Sequence, residues 1–186
     1  MKSIVLAVAL TLSGFVVGQK PEPVRFNSFD EFLVYKNFTD SLRDNFKEKN
    51  HIDSVFILLN QYRVKQGVKP VELDINLNNV ANLQATYCAK NNIVTHRNND
   101  TLNTLYQRGA QFDEYYIRAE VATMNHINAL FLTKRSISSA PMYNLQYCTA
   151  HAFIMKQPEY TRCGISLVQS KTDTNKFYTI IVFAIK

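Results

Sequence analysis

From Ile52 onward the apolar positions recur at helical spacing, with Ile52, Val55, Phe56, Leu59 and Tyr62 on one face. Gly67 offers a left-handed cap and Pro70 follows three residues on, so the pattern predicts a helix that closes at Gly67. Asp74 is placed to cap the next helix, where Leu77, Val80, Ala81, Ala85 and Cys88 share a side. Tyr115 to Ala122 reads as a strand carrying Glu120, and Asn128 to Arg135 as a short amphipathic helix. Ser136 to Pro141 reads as a loop, and Tyr143 to Met155 as one further helix. Two apolar runs, Arg162 to Gln169 and Phe177 to Ile185, flank a polar loop and predict a hairpin. The second run is apolar at nearly every position, which marks a central strand covered on both faces.

Residues 19–50 form a prefix to this pattern. Lys20-Pro21-Glu22-Pro23 reads as an extended linker, and Ser28-Phe29-Asp30-Glu31 has the form of a capping box. Phe29, Phe32, Leu33, Phe38, Leu42 and Phe46 then recur at helical spacing, predicting one or two helices packed on the main domain. The alternative is a pro-segment or a partner surface, because a phenylalanine face is not stable alone in water.

The first 18 residues read as a secretory leader: Lys2, an apolar run from Ile4 to Val17, then the small Gly18 before Gln19. That run is too short for a bilayer span of about 20 residues, and nothing later comes close. The expectation is one extracellular domain of ordinary size after the leader. The net charge of +6 favours solubility, but no Lys/Arg block or basic-aromatic ladder argues for nucleic acid.

An extracellular setting changes how the three cysteines are read. Cys88, Cys148 and Cys163 permit one disulfide plus a spare thiol, with three pairings open; three reduced cysteines packed as small hydrophobes are the alternative. Asn37-Phe38-Thr39 and Asn99-Asp100-Thr101 are acceptor triplets for N-glycans, making Asn37 and Asn99 glycosylation candidates. No phosphate loop, nucleotide fingerprint or serine elbow is present.

Thr149-Ala150-His151-Ala152-Phe153-Ile154-Met155, followed by Pro158-Glu159-Tyr160-Thr161-Arg162-Cys163-Gly164-Ile165, places a histidine near a helix end, then a proline stop, then a strand with a glycine. With His96 and Arg118-Ala119-Glu120-Val121-Ala122, this resembles the CAP superfamily over residues 51–186. Gly67, Gly109 and Gly164, the only glycines after residue 18, fall where that family has them. The missing cysteine framework makes the chain similar to the compact bacterial-type branch. The resemblance implies an α+β fold, a three-layer α-β-α sandwich with a small antiparallel sheet between helices.

It also implies a cleft where His96, Glu120 and His151 meet. Family members gather two histidines and one or two glutamates there, which can bind a divalent metal and have been linked to hydrolysis. Imidazoles suit zinc, and Glu120 is the candidate catalytic base or third ligand. Glu120 on an apolar strand needs a partner in any case. The departures weaken a metal site. No aspartate or glutamate lies between Glu120 and His151, so the family's second glutamate is absent, while Lys134 and Arg135 add positive charge. There is no tryptophan, and Leu145 stands near its usual place. A Cys148–His151 pair at i, i+3 lacks any visible third group to activate the thiol.

Two functional expectations follow. One is a secreted CAP-domain protein that binds a lipid or sterol, a glycan or a protein partner through the cleft. The other is a metal-dependent, peptidase-like hydrolase using His96, Glu120 and His151, with zinc as the candidate metal.

Overall fold

The computed structural model describes residues 26–98, 102–127, 130 and 135–186. The leader, the Lys20–Pro23 linker and Asn99 lie outside them, as does the helix expected over 128–135 except for Leu130 and Arg135. No described helix is long and apolar enough to cross a membrane.

Among its described residues the prefix carries one helix of its own, α1 (Phe29–Asp44), and the first residues of the next. Ser28 caps it by accepting from the Glu31 amide at 3.1 Å, while the Glu31 carboxylate reaches past the cap residue to the Asn27 amide at 2.7 Å. Helix α2 (Lys49–Lys65) follows, then Gly67 in the left-handed region at φ +78°. The two-residue strand β1 (Glu72–Leu73) leads into α3 (Ile75–Asn91), whose first amides are capped by Asp74. A short α4 (Leu105–Ala110) starts at a capping box between Thr104 and Gln107. Strand β2 (Ile117–His126) begins two residues later than Tyr115 and runs four beyond Ala122.

Two sequence expectations are corrected in the next stretch. Ser136–Pro141 is not all loop, because α5 (Ser139–Tyr147) starts inside it. The predicted Tyr143–Met155 helix is broken at Cys148, whose extended backbone separates α5 from α6 (Thr149–Met155). The two halves have separate anchors: Asn144 of α5 donates to Asn125 on β2, whereas the end of α6 is held by Arg63 of α2. The break lets each half follow its own anchor. The hairpin of β3 (Arg162–Gln169) and β4 (Lys176–Ala184) matches its prediction to within one residue.

The sheet order is β1-β3-β4-β2, with β2, β3 and β4 antiparallel and only the short β1–β3 pairing parallel. Strand β4 is central and buried from Phe177 to Ala184. Its side chains alternate between two cores. Phe177, Ile181 and Phe183 join Val55 and Leu59 of α2, Leu145 of α5 and Met155 of α6. Tyr178, Ile180 and Val182 join Leu77, Val80, Ala85 and Cys88 of α3. This is the α-β-α sandwich, explained by the strand's period of two against helical stripes on either side. Gly164 fixes one spacing: a methyl group there would overlap the backbone of Leu77 and Asn78, so α3 lies directly on β3.

Candidate functional site

Glu120 leaves β2 as a nearly buried carboxylate, and its two oxygens face different partners. Oε1 lies 3.0 Å from Nδ1 of His96, and Oε2 accepts from the Arg108 guanidinium at 2.6 Å. Arg108 itself is wholly buried on α4 and also donates to the His96 carbonyl at 3.5 Å. A carboxylate stranded among apolar side chains is thereby neutralised by a charge-assisted bond. Sequence reasoning required a partner for Glu120 without naming one. Arg108 lies twelve residues upstream on another element, and no local spacing rule connects the two.

His96 is held from behind. Helix α3 ends with Asn92 in the left-handed region, and the chain then turns toward β2. Gln84 Nε2 donates to the Thr95 carbonyl at 2.5 Å, and the Cys88 thiol reaches the same oxygen at 3.6 Å. The backbone of His96 is thus fixed from both α3 and α4, while half of its side chain remains exposed. His151 on α6 is half-buried. Burial, and then the positive charge His96 can carry, hold His151 below the usual histidine range. The structure therefore brings two of the three candidates, His96 and Glu120, into direct contact, while no described contact joins His151 to either and charge alone links it to His96.

The donor set fits a metal poorly. Both Glu120 oxygens are occupied, one of them by a guanidinium. Among the described residues no group of three or more His, Cys, Asp and Glu side chains gathers to hold an ion. Two imidazoles alone fall short of the three protein ligands usual at a catalytic zinc. Arg135, suspected from its charge, lies 3.2 Å from the centroid of the Tyr143 ring and makes a cation–π contact there. Lys134 lies outside the described residues.

The remaining candidates are placed as follows. All three cysteines are free thiols. Cys88 and Cys163 lie in the two separate cores, on opposite faces of the sheet. Burial raises the Cys163 thiol to about 12 and also raises Cys88, so both are inert packing groups at neutral pH. Cys148 is half-buried at the α5–α6 break, and no described hydrogen bond joins it to His151. Asn37 is exposed on α1, while Thr39 of its triplet is buried and donates to the Lys36 carbonyl. Two open grooves, of about 550 and 570 Å³, run along α2 rather than past His96 or His151.

Residues 56–183 match the CAP family, described as the cysteine-rich secretory protein family. The chain belongs to this family. No curated protein matches the sequence. Among solved structures, a Bacillus anthracis extracellular protein containing an SCP domain superposes with a TM-score of 0.58 at 19% identity, covering 75% of this chain and 41% of that one. An outer surface protein of Borrelia burgdorferi gives 0.57 at 14% identity, covering 75% and 98%. A cysteine-rich secretory protein of Staphylococcus aureus gives 0.53 at 12%, covering 76% and 40%. The chain spans about two fifths of the Bacillus and Staphylococcus proteins, and at these identities the likeness concerns the CAP fold. The bacterial relatives agree with the compact branch that the sequence resembled.

Proposed function

We propose that this CAP protein is extracellular and acts by binding a macromolecular partner, without catalysing a reaction at its histidine cluster. The observation that carries this reading is the state of Glu120. A carboxylate with one oxygen on a buried guanidinium and the other on an imidazole sets both partners in competition with a proton from water and with a metal. The absence of any other carboxylate between Glu120 and His151 points the same way. The open form of the α2 grooves favours a protein over a sterol or lipid, because small-ligand sites enclose most of their ligand.

A zinc-dependent hydrolase is the second reading. It is favoured by one observation, a half-exposed His96 whose charge acts on the half-buried His151. Calorimetric titration of zinc into the metal-free protein separates the two, with a His96→Ala/His151→Ala variant as control. The binding reading expects no zinc affinity in the micromolar range and no peptidase activity. Tight binding lost in the double variant, together with chelator-sensitive hydrolysis abolished by Glu120→Gln, would overturn it. Panels of sterol-containing vesicles, glycans and extracellular proteins then test the partner class, with a saturable protein partner as the expected result.

A further inference from the structure

Helix α1 displays apolar side chains that the domain does not cover. Phe29, Val34 and Phe38 are 68%, 71% and 55% exposed. Among the described residues no other element packs extensively on α1, and its end meets the core through Leu42, through the Arg43 carbonyl, which accepts from Gln169, and through Phe46 against Phe177. Ring contacts among Phe26, Phe29 and Phe32, and between Tyr35 and Phe38, link successive turns. A 16-residue helix is marginal by itself in water, so this face calls for a partner.

Helix α2 carries a second uncovered apolar strip. Its groove is lined by Phe56, Ile57, Asn60, Gln61, Val64 and Lys65, with Ile57 and Val64 55% and 59% exposed. The second groove shares Ile57 and Gln61 with the first, so the depression continues along α2. The two helices are 16 and 17 residues long, both close to 24–26 Å at the helical rise, roughly 1.5 Å per residue.

We propose that the occupant of the α2 groove is α1 of a second copy of this chain, with the exchange made in both directions about a two-fold axis. Charge selects this occupant. Helix α1 has four carboxylates against two basic residues, whereas the chain from Asn45 onward has 16 Lys and Arg against 10 Asp and Glu. Within α1, Lys36 and Arg43 are engaged by Asp40 and Asp44, which leaves Asp30 and Glu31 at the helix start with no ion pair among the described residues, Glu31 holding only the Asn27 amides. Lys65 lies at the other end of the α2 groove, also without one among the described residues. Antiparallel docking puts Asp30 and Glu31 beside Lys65, and brings Phe38 opposite Ile57 with Val34 between Ile57 and Val64. Asp30, Val34 and Phe38 are four residues apart and therefore lie on one side of α1. The antiparallel arrangement also sets opposite helix-dipole ends together. Exchange in both directions doubles the surface buried by a single docked helix, toward the roughly 800 Å² per partner of a stable interface. An anionic membrane is disfavoured by the same acidic residues.

Sedimentation velocity on protein expressed from the 186-residue sequence tests the dimer. The expected result is a monomer–dimer equilibrium that Val34→Asp and Ile57→Asp each weaken about tenfold or more, with helix content by circular dichroism unchanged. Asp30→Lys and Lys65→Glu should each weaken association, and the two together should restore it. A monomer at 100 µM, a dimer indifferent to both apolar substitutions, or a charge pair without mutual rescue would each overturn the proposal. So would a Val34→Asp effect seen only as lost binding to phosphatidylcholine vesicles.

Discussion

Arg63 and Arg108 are both wholly buried, yet they end in different company. Among the described residues Arg63 donates only to backbone carbonyls: Lys69 at 2.9 Å, Met155 at 2.6 Å, Gln157 at 3.2 Å and Tyr160 at 3.2 Å. One side chain thus ties the turn after α2, the end of α6 and the entry to β3 into a single joint. Arg108 instead meets the carboxylate of Glu120 and the carbonyl of His96, and its Nε has no hydrogen-bond partner among the described residues. The first arginine serves architecture. The second serves a site, where it neutralises a carboxylate and leaves an imidazole at the surface. A buried cation is therefore no guide to function until its partners are known.

The comparison breaks most sharply at Arg63. Arg63→Met keeps the aliphatic stem but strands four carbonyls, which should cost on the order of 3–4 kcal/mol in urea unfolding. Arg63→Lys should recover little, because a single ammonium lacks the planar fork that reaches three segments at once. No second side-chain substitution can rescue the loss, since the stranded groups belong to the backbone. An unchanged urea midpoint in Arg63→Met would remove Arg63 from the account of stability.

Arg108 should behave differently under the same treatment. Arg108→Met leaves Glu120 as an uncompensated buried charge and should cost about 3 kcal/mol. Adding Glu120→Gln removes that charge, and most of the loss should return, a coupling of about 2 kcal/mol in a double-mutant cycle. Additive losses would mean that Arg108 contributes packing alone, and the distinction between the two arginines would fail.

Much of the fold was legible because it rests on local patterns. The β3–β4 hairpin, the burial of β4 on both faces, the Asp74 cap and the Gly67 turn each follow from a few adjacent residues. Arg63 was within reach of the same reading. It follows Val55 and Leu59 at intervals of four, inside the apolar stripe of α2, where a cation requires buried acceptors. The break at Cys148 was not legible, since it depends on where Asn125 and Arg63 lie in space. Within the site, His96, Glu120 and His151 came from a family pattern, and the structure joins His96 to Glu120 directly. The role of Glu120 did not follow, because it is decided by Arg108, and the pairing is tertiary.

The smallest expected effect concerns protons, and at the histidine cluster it falls on His151. His151 is held below its ordinary range by burial and by His96. The unfolded chain therefore takes up a proton at this position before the folded protein does. Stability from His151 is fully present above about pH 6.5 and is lost as the pH falls through that value toward the lower folded one. His51 and His126 are likewise depressed by burial and add to the loss in the same direction. The Asp74 carboxyl, raised by burial but lowered further by Arg162 and the amides it caps, contributes only in stronger acid. Urea midpoints at pH 7 and pH 5 should thus fall together in the native protein and in Arg63→Met, and should fall less in His151→Gln. His151 is half-buried and partly screened by solvent, so the difference will be modest. An equal fall in all three proteins would place the pH response on His51 and His126 and leave the histidine cluster electrically silent.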